Sequence, residues 1–303
     1  MKIIFRLTVA ALLLPASLMS GSDLNAQEII EIPPLFEYPV APEELPSMME
    51  KSDYIVEHFW DNFDFKSKKT VDQNALNHAF GVFSTAMRFA DADKTVLANK
   101  RLISTLSKNP ILMLQFTKAA EENIYGPRAD FWIDDIYLMY VDAILSNKKI
   151  SQDRKKKYES QKKIIGNSRI GQSAPKFSFI KPDGSSANYF PMSTPTLIIF
   201  GNPSDTDWRM ARLKMESNLN LIKAIDKGQV SILFIVPEVV DGWESKVDNY
   251  SSKWTVGASG DISMIYDTRV SPSAYVIGSD GNIVSKNTSL PIAIATLLDQ
   301  IKE

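Results

Sequence analysis

The chain of 303 residues is long enough for two domains of ordinary size. It is 44% hydrophobic and 23% charged, a composition typical of soluble globular proteins. Its formal net charge of −2 gives no general attraction to nucleic acid, and we expect no nucleic-acid partner. The sequence contains no cysteine, which excludes disulfide bonds, thiolate nucleophiles and cysteine-ligated metal sites in this chain.

Residues 1–26 have the pattern of a secretory signal peptide. Lys2 and Arg6 precede the apolar run 7–14, and Ala26 supplies a small residue at the expected cleavage point. The apolar run is too short to cross a hydrocarbon core of about 30 Å, and no later segment is long and apolar enough. We therefore expect an exported, periplasmic protein without a membrane span, and the lack of cysteine excludes a lipoprotein.

A proline-rich lead-in at residues 27–42 precedes a first domain at residues 43–168. Apolar side chains recur there at three- and four-residue spacing, which predicts an all-α domain without strands. Pro110 and Pro127 are expected in first turns, where proline is tolerated. Lysine-rich runs in this region are interpreted as solvated helix faces, because the acidic residues of the chain outnumber its lysines and arginines. The expected helices lie near residues 48–59, 72–89, 95–106, 110–125, 127–145 and 151–165.

Residues 169–303 alternate between the strand pattern and the helix pattern. A helix that joins the apolar strands 196–200 and 230–236 implies a parallel pair, and a later hairpin adds antiparallel strands. We therefore expect an α/β sandwich with a mixed central sheet. The other expected strands are 176–180, 186–190, 254–256, 273–277 and 282–286, and the expected helices are 205–227, 242–252 and 291–301.

Four stretches follow one another in a recognisable order: IGQSAPKFSFIKPDGSSANY, TPTLIIFGNPSDTDW, VSILFIVPE and YDTRVSPSAYVIGSDGNIV. They are similar to the opening hairpin, active corner, next strand and cis-proline segment of the thioredoxin-like family, specifically its exported TlpA/ResA type and the peroxiredoxin-like branch. The helical half, above all HFWDNFDFKSK, resembles a helical domain of unknown function that precedes such domains in exported Bacteroidetes proteins. The resemblance implies a thioredoxin-like mixed-sheet sandwich preceded by an all-α domain.

The corner after the central strand departs from the family in the residues that carry its chemistry. Family members read roughly F-x-x-P-x-C-x-x-C there, and alignment on Phe200 and Pro203 puts Asp205 and Trp208 at the two cysteine positions. Disulfide exchange requires a thiolate that attacks sulfur, which neither residue supplies. Thiol-disulfide oxidoreductase activity is therefore excluded for this chain.

Two interpretations of the polar residues at this corner remain open. Ser204 or Asp205 can cap the following helix, and Ser204 with Asp207 resembles a capping box, a structural role worth about 1 kcal/mol. Alternatively, Asp205 and Asp207 form a non-thiol enzyme site or a divalent-cation site. We favour capping, because two aspartates two residues apart point in different directions and a divalent cation requires more oxygen ligands. We expect no catalytic residue, metal or cofactor.

The segment VSPS matches the family's cis-proline segment, so we predict a cis bond between Ser271 and Pro272. The resemblance implies that the backbone before this proline pairs with extended peptides. With Asn202, Asp205 and Trp208 at the rim, these residues are expected to form a groove. The groove would bind an extracytoplasmic protein or peptide by strand addition, without chemistry. A purely structural role for the C-terminal domain is the remaining alternative.

The two histidines, His58 and His78, lie in the helical half without a spacing diagnostic of zinc. His58 is expected to be a half-buried packing residue. The aromatic run WDNFDF, residues 60–65, is interpreted as a core anchor at a helix end, with a ligand-stacking surface as the alternative.

Overall fold

Segments with the strand period are confined to the C-terminal half of the sequence, and the described residues of the structure follow this division. A computed structural model describes residues 33–67 and 70–302. The predicted signal peptide, residues 1–26, lies outside this part of the chain. From Pro34 onward the described residues form one compact unit. None of the helices in these ranges is long and apolar enough to cross a membrane.

The N-terminal half contains the six predicted helices, and most begin where the sequence supplies a cap. Ser47 and Glu50 form a complete capping box at the first helix. Asp72, Asp91 and Asn109 each accept backbone N–H groups in the first turn of the next three helices. The helices are α1 (Met48–His58), α2 (Gln73–Met87), α3 (Ala92–Leu106), α4 (Pro110–Ile124), α5 (Asp134–Ser146) and α6 (Gln152–Asn167).

Helix α5 begins later than predicted. Pro127 lies in the loop before it, which closes through a hydrogen bond from the Ile133 N–H to the Ile124 carbonyl at 3.0 Å. A proline at the first helical position therefore does not mark this helix, although it marks α4. The loop places Asp134 and Asp135 in the first turn of α5, where the helix dipole stabilises carboxylates.

Aromatic side chains form the core of the helical half. Phe59 and Trp60 are buried, and the Trp60 ring centroid lies 4.8 Å from that of Phe116, which confirms the interpretation of WDNFDF as a core anchor. The lead-in contributes to the same core, since the Phe36 ring packs at 5.4 Å from Trp60. The residues after Pro33 thus pack onto the helical half, although they form no helix or strand before Met48.

The C-terminal half is built on one mixed sheet of seven strands in the order β2-β1-β5-β4-β3-β6-β7. The pairs β3–β4 and β4–β5 are parallel and the other neighbours are antiparallel, as expected for an α/β sandwich. The strands are β1 (Phe177–Ile180), β2 (Ser186–Tyr189), β3 (Thr196–Phe200), β4 (Ser231–Val236), β5 (Thr255–Ala258), β6 (Ser273–Ile277) and β7 (Ile283–Lys286). The helices are α7 (Thr206–Glu216), α8 (Leu219–Asp226) and α9 (Leu290–Asp299).

Both faces of the central strands are buried, which explains why β3, β4 and β6 read as continuous apolar runs. Leu197 and Ile199 of β3 face a core shared with α7, α8 and α9, whereas Ile198 and Phe200 face a second core under β1 and β2. A strand covered on two faces gains from apolar side chains at every position. The end of β3, where the sequence turns into α7, is therefore rigidly placed.

Two predicted helices differ from the structure. The helix expected at 205–227 is broken into α7 and α8, because the Asn218 side chain accepts the Leu221 N–H at 3.0 Å and caps a new helix. The helix expected at 242–252 is only a short 3-10 turn at Glu244–Lys246. Gly242 before it has a φ of 77°, outside the helical range.

Candidate functional site

The corner between β3 and α7 packs closely against the loop that leads into β6. A side-chain carbon at Gly201 would lie 3.3 Å from Phe234 and 3.5 Å from Pro272, so glycine permits the close approach. The bond between Ser271 and Pro272 is cis, as predicted. The corner and the proline loop therefore face each other across a short distance.

The polar residues of the corner bind across the site and do not cap their own helix. The Ser271 hydroxyl donates to Asp205 Oδ2 at 2.9 Å, and Lys246 Nζ donates to Ser204 Oγ at 3.0 Å. Asp205 occupies the N-cap position of α7, but its side chain accepts no hydrogen bond from a backbone N–H of that helix, which the structure describes in full. The predicted cap by Ser204 or Asp205, and the capping box with Asp207, are thus wrong. Tertiary partners take the oxygen atoms that capping would have used.

Trp208 is buried, so its predicted position on the rim is wrong. Its exposed fraction is 0%, and its indole stacks on Phe234 with ring centroids 4.5 Å apart and an interplanar angle of 12°. The indole N–H donates to the Tyr250 hydroxyl at 2.6 Å. A tryptophan at this position fills the space between α7 and the sheet, and burial of its large apolar surface outweighs exposure at the rim.

A cavity of about 350 Å³ opens beside the corner, and we call it the Ser271 cavity. The structure brings three predicted site residues together there, since Asn202, Asp205 and Ser271 line it. Trp243 adds apolar surface and Lys246 adds a positive charge. A volume of this size, with an apolar wall and a few polar groups, lies in the range of ordinary ligand sites.

A second cavity of about 360 Å³ is lined by Pro272, Asp207 and the apolar side chains of Met210 and Leu290. Asp207 therefore opens onto a different cavity from Asp205. Among the residues that the structure describes, no group of three or more histidine, aspartate or glutamate side chains is arranged to hold a metal ion. The geometry gives no joint site for the two carboxylates.

The loop that carries Ser271 contacts the helical half through Arg269. The side chain of Arg269 is 7% exposed, and its Nη2 lies 2.9 Å from Asp134 Oδ1 in an ion pair. Arg269 Nη1 donates to the Tyr125 carbonyl at 2.8 Å, and Nε donates to Asp267 Oδ1 at 2.8 Å. Lys286 Nζ donates to Asp134 Oδ2 at 2.7 Å. We call the four charged residues Asp134, Asp267, Arg269 and Lys286 the Arg269 bridge.

The charges of the Arg269 bridge compensate one another. Burial by itself would raise the pKa of the Asp134 carboxyl, but the neighbouring charges of Arg269 and Lys286 outweigh burial and hold that pKa below its ordinary value of 3.8. Burial would lower the pKa of Arg269, but hydrogen bonding and charge at Asp267, together with Asp134, raise it above its ordinary value. Asp134 and Arg269 are therefore both ionised at neutral pH.

The sequence did not predict the Arg269 bridge or the position of Lys246 at the Ser271 cavity. The available signal was the pair of opposite charges at Asp267 and Arg269, directly before the predicted cis proline. Nothing in the local pattern identifies Asp134 as the partner, because its own signal is that of an acidic first turn in a distant helix. Tertiary ion pairs of this kind have no fixed spacing in sequence.

The histidines lie outside the Ser271 cavity. The side chain of His58 is 45% exposed, which agrees with the expected half-buried position; its ring lies 4.6 Å from that of Tyr54, and its Nδ1 lies 2.8 Å from Asp61 Oδ2. His78 is exposed on α2. Neither residue contributes to the candidate site.

Comparison with known proteins gives a family match for the helical half and a fold likeness for both halves. A family model described as a domain of unknown function (DUF5106) matches residues 17–168, half of the sequence. The fold of a thioredoxin-like protein from Bacteroides caccae superposes with a TM-score of 0.71 at 15% identity, covering 87% of this chain and 98% of that one. This likeness extends over the helical half as well as the sheet, and it concerns the fold alone.

Two further solved structures match only part of the chain. A conserved protein of unknown function from Bacteroides fragilis has a TM-score of 0.41 at 23% identity, covering 43% of this chain and 99% of that one. A thiol-disulfide oxidoreductase from Bacteroides fragilis has a TM-score of 0.38 at 16% identity, covering 43% of this chain and 100% of that one. No curated protein matches the sequence.

Trp208 should behave as a core residue in unfolding experiments. We expect Trp208→Ala to lower the free energy of unfolding by about 4 kcal/mol, because it leaves a cavity beside Phe234. Trp208→Phe keeps an aromatic ring and loses the bond to Tyr250, so the expected cost is only about 1–2 kcal/mol. Urea unfolding followed by circular dichroism measures both values. A cost near zero for Trp208→Ala would contradict the burial of this side chain.

The ion pair of Asp134 should make stability depend on pH at the acid end. We expect Asp134→Asn to lower the free energy of unfolding by about 2 kcal/mol at pH 7, because it leaves Arg269 and Lys286 short of a carboxylate. The folded-state pKa is lowered, so the stabilisation is complete above the ordinary value of 3.8 and is lost as the pH falls through the folded-state value. The difference between wild type and variant should therefore shrink only below about pH 4.

The matched control is Asp135→Asn at the neighbouring position. Asp135 pairs with Arg169, but its side chain is 84% exposed, and exposed pairs contribute little. Urea unfolding of wild type, Asp134→Asn and Asp135→Asn between pH 7 and pH 2.5 measures how the free energy of unfolding of each depends on pH. Equal loss of stability in the two variants, or a difference that persists unchanged at pH 2.5, would show that Asp134 is not the stabilising carboxylate.

Proposed function

This chain belongs to the DUF5106 family, and on that premise we propose that it is a non-catalytic module that binds an extended peptide segment of a protein partner. The bound segment lies in the Ser271 cavity and pairs with the backbone before Pro272. Binding of this kind draws affinity from main-chain hydrogen bonds and specificity from side-chain pockets. The C-terminal domain then keeps the shape of a thioredoxin-like protein and performs no thiol chemistry.

The observation that carries the proposal is the composition of the Ser271 cavity. Asn202, Asp205 and Ser271 place amide, carboxylate and hydroxyl groups along one wall, and these groups suit a peptide backbone. Val240 and Trp243 contribute apolar surface on the same cavity. The side chain of Val240 is half exposed, which leaves apolar surface available to a ligand.

An enzyme or cation site at Asp205 and Asp207 is the weaker candidate. Asp205 lines the Ser271 cavity, whereas Asp207 lies on the second cavity. General acid–base catalysis by two carboxylates requires both to reach one substrate. No observation favours that arrangement, so binding remains the proposed function.

Ser271→Arg should weaken binding because it places a long cationic side chain on the cavity wall beside Asp205. The probe is a set of 12-residue peptides selected from a random phage-displayed library on the wild-type protein, then synthesised with a fluorophore. Fluorescence anisotropy should give a Kd at least tenfold higher for Ser271→Arg. A tenfold change corresponds to about 1.4 kcal/mol.

The control for added charge and bulk is Asn220→Arg, on the exposed surface of α8 and outside the Ser271 cavity. Its Kd should equal that of wild type, and circular dichroism should show that both variants are folded. Peptides that bind wild type and Ser271→Arg equally would remove this cavity as the binding site. A purely structural role for the C-terminal domain would then be favoured.

We also propose that the partner is extracytoplasmic, because residues 1–26 have the pattern of a signal peptide. Expression of the full chain in a bacterial host should give a periplasmic protein whose N-terminal residue is Gln27. Ala26→Arg should block cleavage, because the cleavage site requires a small residue. N-terminal sequencing and cell fractionation measure both outcomes. A cytoplasmic protein that retains residues 1–26 would contradict this proposal.

A further inference from the structure

The segment from Asp267 to Ser271 has two faces with different neighbours. Thr268 and Ser271 line the Ser271 cavity. Arg269, between them, is buried against the helical half and contacts Asp134. A single short loop thus forms a wall of the candidate binding site on one side and meets the helical half on the other.

Three groups of the helical half fix the Arg269 guanidinium. Asp134 supplies a carboxylate at 2.9 Å and the Tyr125 carbonyl accepts a hydrogen bond at 2.8 Å. The guanidinium carbon also lies 4.0 Å from the Tyr125 ring centroid and 5.3 Å from that of Trp132. The contact with Asp134 is an ion pair, because Asp134 Oδ1 accepts no hydrogen bond from the residues that the structure describes, whereas the bond to the Tyr125 carbonyl is directional. A planar cation held by charge, one directional bond and stacking has little freedom to rotate or shift.

The remaining contacts of the loop do not replace this attachment. Asp267 binds Arg269 from two residues away, so that contact links the loop only to itself. The Asp267 N–H donates to Ser168 Oγ at 3.0 Å, and the Tyr275 hydroxyl donates to the Asp267 carbonyl at 2.7 Å. These bonds fix the start of the loop, and the bond from the Ser271 hydroxyl to Asp205 fixes its end. The middle of the loop, at Arg269, is held by Asp134 and the Tyr125 carbonyl.

We infer that Asp134 is a positioning residue: acting through Arg269, it sets the place of Ser271 in the cavity wall. The helical domain thereby becomes part of the binding site without touching the ligand. The effect on ligand affinity rests on the proposed peptide-binding function. The effect on the loop itself does not, because it concerns the protein without a ligand.

The first measurement is hydrogen exchange of the backbone amides in residues 268–273, except Pro272, of the full-length protein without peptide. Asp134→Asn should accelerate exchange in this segment at least fivefold, because the loop opens more often when its middle is released. Asp135→Asn is the matched control, since it removes an equal charge from the adjacent position but leaves the Arg269 bridge intact. Asp134→Glu, which restores a carboxylate, should return exchange towards the wild-type rate.

A general loss of stability must be distinguished from a local effect. Leu102→Ala, in the core of the helical half, destabilises the fold and does not alter the bridge. It should leave exchange in residues 268–273 at the wild-type rate under native conditions. Arg269→Lys, which keeps the charge but loses the planar fork, should accelerate exchange as Asp134→Asn does. Equal exchange in Asp134→Asn and Asp135→Asn would overturn the inference.

The second measurement is the affinity for the selected 12-residue peptides. Asp134→Asn should raise Kd at least threefold, whereas Asp135→Asn and Leu102→Ala should leave it unchanged. Unchanged affinity in Asp134→Asn, with Ser271→Arg still weakening binding, would overturn the positioning role and leave the proposed function standing. Faster loop exchange in Asp134→Asn, with no effect of Ser271→Arg on binding, would overturn the proposed function and leave the positioning of the loop standing.

Discussion

The candidate site depends on one buried cation. Arg269 has almost no exposed surface, and a guanidinium withdrawn from water must be paired and hydrogen-bonded to be tolerated. Its pairing groups come from two places, Asp267 in its own loop and Asp134 in the helical half. The full set of partners, including Asp134 and the Tyr125 carbonyl, forms only when the loop is in contact with the helical half. That requirement ties the shape of the Ser271 cavity to the helical domain.

Asp205 and Trp208, the two positions that align with cysteines in the resemblance to thioredoxin-like proteins, make different contacts at the same corner. Asp205 keeps a polar group facing the proline loop and accepts the Ser271 hydroxyl. Trp208 turns the second position into a core contact through its stacking on Phe234. Asp205 therefore links the corner to the proline loop, and Trp208 packs α7 onto the sheet.

The sequence predicts those parts of the molecule whose physical cause is local. Strands β3 and β6 begin and end where expected, because an apolar run bounded by turn residues defines a buried strand. The cis bond before Pro272 was predicted from a resemblance that includes its neighbours. Asn202, Asp205 and Ser271 do meet at one cavity.

The errors share a different cause, which is competition from distant groups. Serine and aspartate are favoured N-cap residues. Here, however, Lys246 donates to Ser204 Oγ and the Ser271 hydroxyl donates to Asp205 Oδ2. The polar residues next to Trp208 in the sequence favour an exposed side chain. In the structure its indole is buried against Phe234. Such outcomes depend on which side chains tertiary structure brings within about 3 Å. The Arg269 bridge also depends on groups that are distant in sequence. A buried set of four charges contributes little net stability, and few arrangements of the chain pair all four. We infer that its effect is to select one position of the loop that carries Ser271.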